Sequence, residues 1–197
     1  YGAGRVNTIE FVTIASTGNG TNFGDLTVRR EHAGGGSNGT RGLFAGGFTN
    51  PNNNNVIDYI TIASTGDAVD FGDLSFAKNC HAVCNKTRMV INGHSETTLE
   101  FITMSSTGNA TDFGTVTSLN GQNANGDSST RGIFAGGVNS NIMEFITTAT
   151  LGNATDFGDL TQARAASGGT SSPTRMVIIG GGTGPSYPFT IVNTIDF

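Results

Sequence analysis

The chain has 197 residues, with 15 acidic and 10 basic side chains and a formal charge of −5 at pH 7. It contains no run of basic residues, so we do not expect nucleic acid or an anionic membrane surface as a partner. No apolar stretch approaches the roughly 18 residues of a membrane-spanning helix, and hence we expect no membrane span.

One phrase is repeated along the chain. It contains an acidic residue, an aromatic residue, a β-branched run, a turn with Gly, and then Phe-Gly. Four copies occupy residues 8–27, 56–75, 98–117 and 142–161. A fifth begins at residues 192–197, whose sequence VNTIDF nearly repeats the VNTIEF of residues 6–11. Self-similarity of this kind is typical of repeat architectures, in which each unit buries its core against its neighbours.

The length of the repeat varies at one connection. Its two markers are the aromatic residue of the phrase and an arginine that follows Thr. From the aromatic to the arginine the separations are 30, 29, 30 and 30 residues, whereas from the arginine to the next aromatic they are 18, 13, 14 and 22. The markers are Phe11, Tyr59, Phe101, Phe145 and Phe197, and Arg41, Arg88, Arg131 and Arg175. Equivalent loops of a repeat array lie on one face, which predicts that this face is free to diversify.

Residues 29–75 contain four predicted strands, separated by turn residues such as Gly, Asn and Ser. The predicted strands cover residues 29–37, 41–47, 56–63 and 68–75. In the third strand Tyr59 points to one face and Ile60 to the other, so both faces carry bulky side chains. This pattern indicates that neighbouring sheets cover both faces.

Four antiparallel strands in about 46 residues is the size of one β-propeller blade. We therefore predict an all-β β-propeller with four-stranded antiparallel blades, in which four blades are accompanied by partial strands at both ends. The repeats divide approximately into residues 1–28, 29–75, 76–117, 118–161 and 162–197. Because the chain begins without Met and ends inside a repeated strand, we expect residues 1–197 to be a single propeller domain or a fragment of a larger propeller.

Three sets of repeat positions are expected to be structural. The Phe before Gly should fill the gap between blades, and burying such a ring contributes about 2 to 3 kcal/mol. The arginines should pair with carboxylates such as Asp70, Asp112 or Asp156, or with carbonyls at strand ends. The acidic residue occurs in every blade, whereas an active site needs one constellation. The positions are Phe23, Phe71, Phe113 and Phe157, then Arg41, Arg88, Arg131 and Arg175, then Glu10, Asp58, Glu100, Glu144 and Asp196.

The order of landmarks within a repeat resembles the kelch repeat. Polar residues in the first strand, a double Gly ending the second and two later aromatics follow in kelch order at similar spacing. The residues are Arg30, His32, Gly46, Gly47, Tyr59 and Phe71. The resemblance covers the whole chain and implies a kelch-like β-propeller. It departs from kelch in one respect, because kelch units usually carry Trp where this chain, which has no Trp, carries Phe.

The wording of the repeat, such as TGNATDFG at residues 107–114, resembles repeat-rich virion proteins of marine tailed phages, including those that infect cyanobacteria. This resemblance implies a non-enzymatic structural protein of the virion, an extracellular particle. A tail fibre or another appendage would contact a host surface glycan or protein, with other virion proteins as partners and homo-oligomerisation through flanking segments as a further option. Three alternatives remain: an architectural spacer or decoration protein, a kelch-type carbohydrate-active enzyme, and a bacterial surface adhesin.

The connection of variable length is the strongest candidate for binding. In the second repeat it contains a run of four asparagines, and in the last repeat it contains two prolines and a tyrosine. Carboxamides both donate and accept hydrogen bonds and a Tyr ring is flat and amphipathic, which suits a sugar or a protein epitope. The connection between blades should lie on the same side and add arginines. The predicted binding residues are Asn50, Asn52, Asn53, Asn54, Tyr187, Arg29, Arg30 and Arg164. The alternative is that these loops are solvated spacers.

No catalytic, cofactor or metal site is predicted. The three histidines lack the spacing of metal ligands, and the Gly-rich runs lack the strand, loop and helix of a nucleotide site. Cys80 and Cys84 are four residues apart in a predicted strand, which separates them by roughly 13 Å and puts them beyond disulfide reach. We interpret them as buried thiols, since a metal site with His81 would need a fourth ligand.

Overall fold

Short β-strands make up the regular structure of the chain. The computed structural model describes residues 5–94, 96–117, 121–185 and 188–197. The strands are β1 (Thr8–Phe11), β2 (Thr21–Asp25), β3 (Gly34–Ser37), β4 (Arg41–Ala45), β5 (Val56–Thr61), β6 (Val69–Asp73), β7 (Cys80–Cys84), β8 (Arg88–Gly93), β9 (Thr98–Thr103), β10 (Thr111–Thr115), β11 (Ala124–Asp127), β12 (Arg131–Gly137), β13 (Ser140–Thr147), β14 (Thr155–Asp159), β15 (Gly168–Ser171), β16 (Met176–Ile179), β17 (Gly182–Thr183), β18 (Thr190–Ile191) and β19 (Ile195–Asp196). Within the described ranges there is no helix long and apolar enough to cross a membrane.

The sheets follow chain order and are antiparallel. Strands β3 to β6, β7 to β10 and β11 to β14 form three four-stranded sheets, and β15, β16 and β19 form a three-stranded sheet. These sheets are the four blades of a β-propeller, which confirms the predicted fold class. β1 and β2 pair ahead of the first blade, and β17 and β18 form a hairpin inside the last one. The strands β3, β7, β11 and β15 contact one another in turn, so the first strand of each blade is innermost.

The first strand of a blade begins later than predicted. β3 starts at Gly34, whereas residues 29–33 form the connection that enters the blade. The guanidinium of Arg30 turns inward, where it lies 2.7 Å from the carboxylate of Asp58 and donates to the carbonyl of Val56 at 2.9 Å. A buried charged side chain needs an ion-pair or hydrogen-bond partner. The backbone of residues 29–33 therefore departs from the strand direction, which places the Arg30 guanidinium beside these partners.

The Phe-Gly pair of each complete fourth strand forms a β-bulge. Between β5 and β6 the register shifts so that Ile57 faces Gly72 and Asp58 faces Asp70, which leaves Phe71 without a direct partner. Gly72 has a φ of 146°, a backbone conformation that residues other than glycine rarely adopt. Because a bulge bends the strand, the ring of Phe71 turns into the gap between blades. Phe23, Phe71 and Phe113 are buried there, whereas Phe157 is 47% exposed.

The same set of three hydrogen bonds, which we call the latch, joins the β1–β2 hairpin to the first blade, the first blade to the second, and the second blade to the third. In the first latch, Gly66 N donates to Phe23 O at 2.7 Å, and Ala68 N donates to Asp25 O at 2.8 Å. Asp25 N donates in return to Asp67 Oδ1 at 2.9 Å. The same set joins residues 71–73 to 108–110 and residues 113–115 to 152–154. The turn between the third and fourth strands of a blade is therefore hydrogen-bonded to the bulge of the preceding sheet.

The apolar core lies between blades rather than within a blade. In one cluster Leu43, Ile57 and Phe71 of the first blade pack against Met89 and Ile91 of the second. Comparable clusters follow between the second and third blades and between the third and the last. The first three blades thus pack through both faces, as the bulky residues on both sides of the third strand predicted.

The recurrent arginines lie over aromatic rings. The guanidinium carbon of Arg41 is 4.5 Å from the ring centre of Tyr59, and its Nη1 donates to Met104 O of the next blade at 3.1 Å. Arg88 lies 4.7 Å from the ring centre of Phe101 and donates to Ala149 O at 2.8 Å. The sequence suggested carboxylates or backbone carbonyls as partners of these arginines, and both arginines donate to backbone carbonyls.

The recurrent acids hold the connection that enters each blade. Asp58 is fully buried and accepts from the Thr27 hydroxyl at 2.6 Å. Glu100 accepts from Ser75 N at 2.9 Å, and Glu144 accepts from a backbone amide in the same way. Asp196 accepts from the Thr161 hydroxyl at 2.7 Å. These contacts agree with a structural role for the acidic residue of the phrase.

Candidate binding rim

The four connections of variable length lie at one end of the propeller. They join the second and third strands of each blade and cover residues 46–55, 94–97, 138–139 and 180–194. Each is hydrogen-bonded to the connection between blades. The contacts are Phe48 with Glu31, His94 N with Asn79 O, Val138 N with Gly121 O, and Gly182 with Ala165. Antiparallel strand order places both kinds of connection at the same end, and we call this end the loop rim.

The asparagine-rich loop of the first blade is held by its own backbone. Thr49 N and Thr49 Oγ1 both donate to Asn52 O at 2.9 Å. The side-chain oxygen of Asn54 accepts from Val56 N at 2.6 Å, so this carboxamide is committed to the loop. Asn50, Asn52 and Asn53 are exposed. Three of the four predicted asparagines therefore present carboxamides to solvent.

The longest connection belongs to the last blade. It contains the short β17–β18 hairpin, in which Gly182 pairs with Ile191 and Thr183 with Thr190. Gly182 and Ala165 exchange two backbone hydrogen bonds of 2.9 Å, which tie the hairpin to the connection between blades. Tyr187, predicted as a binding residue, lies outside the described residues.

The three predicted arginines do not share one environment. Arg29 is exposed on the connection that enters the first blade. Arg30 is buried against Asp58, and the guanidinium of Arg164 is buried near Asp196 and donates to Ile178 O at 3.3 Å. The interpretation of Arg30 and Arg164 as rim residues is thus corrected, because both side chains point into the interior and stabilise blades.

The inner edge of the loop rim carries a polar cluster that sequence reasoning missed. His81 in β7 is the register partner of Asn92 in β8, and His32 and His94 are close enough to act on it electrostatically. Burial lowers the pKa of His81 to about 4, with contributions from His94 and then His32. His81 is therefore neutral at pH 7. Antiparallel pairing brings these residues together, so only a known register could have revealed them.

Buried carboxamides add hydrogen-bonding capacity to this edge. Asn92 is fully buried and Asn123 is 4% exposed. Within the described part of the chain, neither side chain has a hydrogen-bond partner for its Nδ2 or Oδ1. Since a carboxamide donates and accepts, such groups suit water or a neutral polar ligand. The described residues contain no set of three His, Cys, Asp or Glu placed to hold a metal.

The two cysteines lie in β7, as predicted, and both are free thiols. Cys80 is buried, and this burial raises its pKa to about 12. Cys84 is partly exposed, and its pKa is also raised by burial. A thiol reacts as its thiolate, so neither side chain has the chemistry of an activated nucleophile.

Comparison with known proteins supports the fold alone. No protein family matches this sequence, and no curated protein matches it. Solved structures do match. One of them, the structure of YjhT, superposes with a TM-score of 0.71 at 12% sequence identity, covering 90% of this chain and 68% of that chain. At this identity the likeness carries no conclusion about ligand or activity.

Proposed function

We propose that this chain is a non-enzymatic structural protein of a virion, in which a propeller in a tail fibre or another exposed appendage contacts a host surface glycan or protein through its loop rim. The observation that carries the binding role is the confinement of length variation to connections that all lie at one end. The place in a virion rests on the wording of the repeats, and the kelch-like character rests on the order of landmark residues within a repeat.

The chemistry of the loop rim favours a neutral polar ligand such as a glycan. The exposed carboxamides of Asn50, Asn52 and Asn53 stand at its outer part. The neutral and partly exposed His81 lies at its inner edge. Sugar hydroxyls donate and accept hydrogen bonds, and these side chains offer both functions without net charge.

Binding of the purified chain to host cells and to a glycan array tests this proposal. We expect a triple Asn50→Ala, Asn52→Ala, Asn53→Ala variant to bind at least about tenfold more weakly, because central contacts carry most of an interface's free energy. The matched control is Lys86→Ala with Thr87→Ala, two exposed residues in a turn at the opposite end of a blade. Undiminished binding by the triple variant would count against the loop rim as the contact surface.

An architectural role is the second candidate. It needs no ligand, only a face of the propeller that is buried against another virion protein. Protection of one face from hydrogen exchange in an intact particle, together with no glycan or cell binding, would favour this role over host contact.

A further inference from the structure

The second blade differs from the other three at the loop-rim end of its first two strands. There His81 of β7 pairs with Asn92 of β8, which lies four residues after the recurrent Arg88. The pairs at the equivalent register of the other blades are Gly34 with Ala45, Ala124 with Ala135, and Gly168 with Ile179. Those blades form with apolar residues at this place, so the fold of a blade does not require the polar pair.

Both members of the polar pair face the third blade. Val83 and Val90 belong to the apolar cluster that includes Phe134 of the third blade. Each valine lies two residues away from one member of the pair along its own strand. Because side chains alternate between the two faces of a strand, His81 and Asn92 point towards the third blade as well.

The third blade supplies two carboxamides to the same junction. Ala124 of β11 shares an apolar cluster with Met176 of the last blade, and a Cβ on Gly126 would lie 2.6 Å from Met176 Cγ. Ala124 and Gly126 therefore face the last blade. Asn123 and Asn125 alternate with them along the chain and consequently face the second blade.

The loop after β8 lies over this junction. A Cβ on Gly121 would be 2.5 Å from the carbonyl oxygen of His94 and 2.9 Å from its Cε1. His94 N donates to Asn79 O at 3.0 Å. The segment before β11 and the loop after β8 are thus in contact, and the carboxamides lie between two blades just below the loop rim.

Five side-chain atoms of these asparagines are buried without a partner. Within the described residues they are Nδ2 and Oδ1 of Asn92, Nδ2 and Oδ1 of Asn123, and Oδ1 of Asn125. Asn92 is 0% exposed and Asn123 is 4% exposed. Buried carboxamides are normally hydrogen-bonded, and leaving them unpaired is unfavourable. The junction therefore offers donors and acceptors to a molecule that can match both.

The other two junctions between blades have no such unpaired group among their described residues. Between the first and second blades the equivalent residues are Gly34, Ala45, Cys80 and Ala82, and the last three pack in one apolar cluster. Between the third and last blades they are Ala124, Ala135, Ser167 and Gly169. Ser167 Oγ donates to Gly180 O at 3.3 Å, so its polar group is satisfied. A binding role explains why the polar set occurs once.

We propose that the junction of the second and third blades binds a hydroxyl group between Asn92 and Asn123, with His81 at the entrance; we call these three residues the amide site. A hydroxyl can donate to one Oδ1 and accept from one Nδ2, so it matches the carboxamides without bringing charge into the interior. His81 is partly exposed and neutral at pH 7, and its imidazole can also donate and accept.

The hydroxyl group can come from water or from a sugar. A buried water molecule makes about three hydrogen bonds to groups that would otherwise be unpaired, and the amide site supplies that number. The second source is a hydroxyl of a glycan held at the loop rim. Only this second source rests on the proposed function.

Nuclear magnetic resonance of the isotope-labelled chain tests the amide site. The side-chain NH₂ groups of Asn92 and Asn123 should show nuclear Overhauser contacts to bound water. Titration with galactose, glucose and mannose separates the two sources. A sugar hydroxyl should shift both NH₂ signals and remove the water contacts, whereas a resident water should leave them unchanged. The internal control is Asn85 at the opposite end of the blade, whose Nδ2 donates to Thr148 Oγ1 at 2.9 Å.

Asn92→Leu combined with Asn123→Leu removes the donors and acceptors at similar side-chain volume. We expect loss of the water contacts and, where a sugar is the source, binding at least about tenfold weaker. NH₂ groups of the unaltered chain that contact no water and respond to no sugar would overturn the proposal, whether or not the double variant folds. Water contacts that persist in a chain without any glycan or cell binding would overturn the proposed function alone.

Discussion

Gly72 and Gly108 meet backbone to backbone between the first and second blades, where a Cβ atom on Gly72 would lie 2.5 Å from the carbonyl oxygen of Gly108. The side-chain hydrogen of Gly72 is thus all that the latch can accommodate. The same proximity recurs between Gly24 and Gly66 and between Gly114 and Gly152.

Gly72→Ala should therefore be more destabilising than Gly158→Ala. Both positions have positive φ, 146° and 129°, so both variants lose about 1 kcal/mol through backbone strain. Only Gly72 also faces a neighbouring backbone, and the overpacking should bring its cost to about 3 kcal/mol. Urea unfolding of dilute protein measures both free energies. Equal costs would show that the latch can widen without loss.

Arg88→Ala should lower the melting temperature and leave rim binding unchanged. The guanidinium lies over Phe101 and donates to Ala149 O at 2.8 Å, so its loss removes a contact between blades. We expect a cost of about 1 to 2 kcal/mol. Calorimetry of Arg88→Ala beside Lys86→Ala, whose side chain is exposed in the same turn, supplies the comparison. A melting temperature equal to that of the control would remove the structural role of Arg88.

Lys78→Met should be strongly destabilising because it leaves a buried carboxylate without its cation. Lys78 and Glu100 are 3% and 2% exposed and form an ion pair. Breaking such a pair on one side costs about 3 to 5 kcal/mol. Lys78→Met combined with Glu100→Gln should recover at least half of the loss, since the amide oxygen still accepts from Ser75 N.

The control for that pair is Arg5→Met. The Arg5–Glu31 ion pair has side chains that are 23% and 46% exposed, and removing an exposed pair costs about 0 to 1 kcal/mol. Denaturant unfolding of all variants gives the comparison. A double variant no more stable than Lys78→Met alone would show that charge compensation is not the dominant effect.

His81 should make the fold less stable in mild acid. Its pKa is lowered to about 4 in the folded chain, against 6.5 for an ordinary histidine. Between pH 4 and 6.5 the unfolded chain binds a proton at this histidine and the folded chain does not. The contribution of His81 to the free energy of unfolding is therefore complete above pH 6.5 and is lost as the pH falls towards 4. The full effect is about 3 kcal/mol. His81→Gln should flatten the dependence of unfolding free energy on pH over this window, and an unchanged slope would contradict the assignment.

Spacing along the chain was sufficient to predict the blades. The constant distance from the aromatic to the arginine, as from Tyr59 to Arg88, spans the fourth strand of one blade, the connection between blades and the first strand of the next, which keep their lengths along the chain. The changing distance reflects loops such as residues 46–55, whose length does not disturb the strands that flank them. Local periodicity carries this information because each strand alternates its side chains between two blade interfaces.

The burial of individual polar residues could not be predicted in this way. Arg29 and Arg30 are neighbours of one type, yet Arg29 is exposed and Arg30 pairs with Asp58, which lies 28 residues away. His81 and Asn92 become neighbours only when β7 and β8 adopt their register. In both cases the environment is set by a distant segment, about which the adjoining residues carry no information.

The latch uses backbone amides, backbone carbonyls and a single side-chain oxygen from Asp or Asn. As far as the latch is concerned, any copy of the repeat can therefore be the neighbour of any other. Recombination between such copies in the gene can add or delete a whole blade without a compensating change in the latch residues of either neighbour. The number of blades can in this way evolve separately from the loops at the end of the propeller.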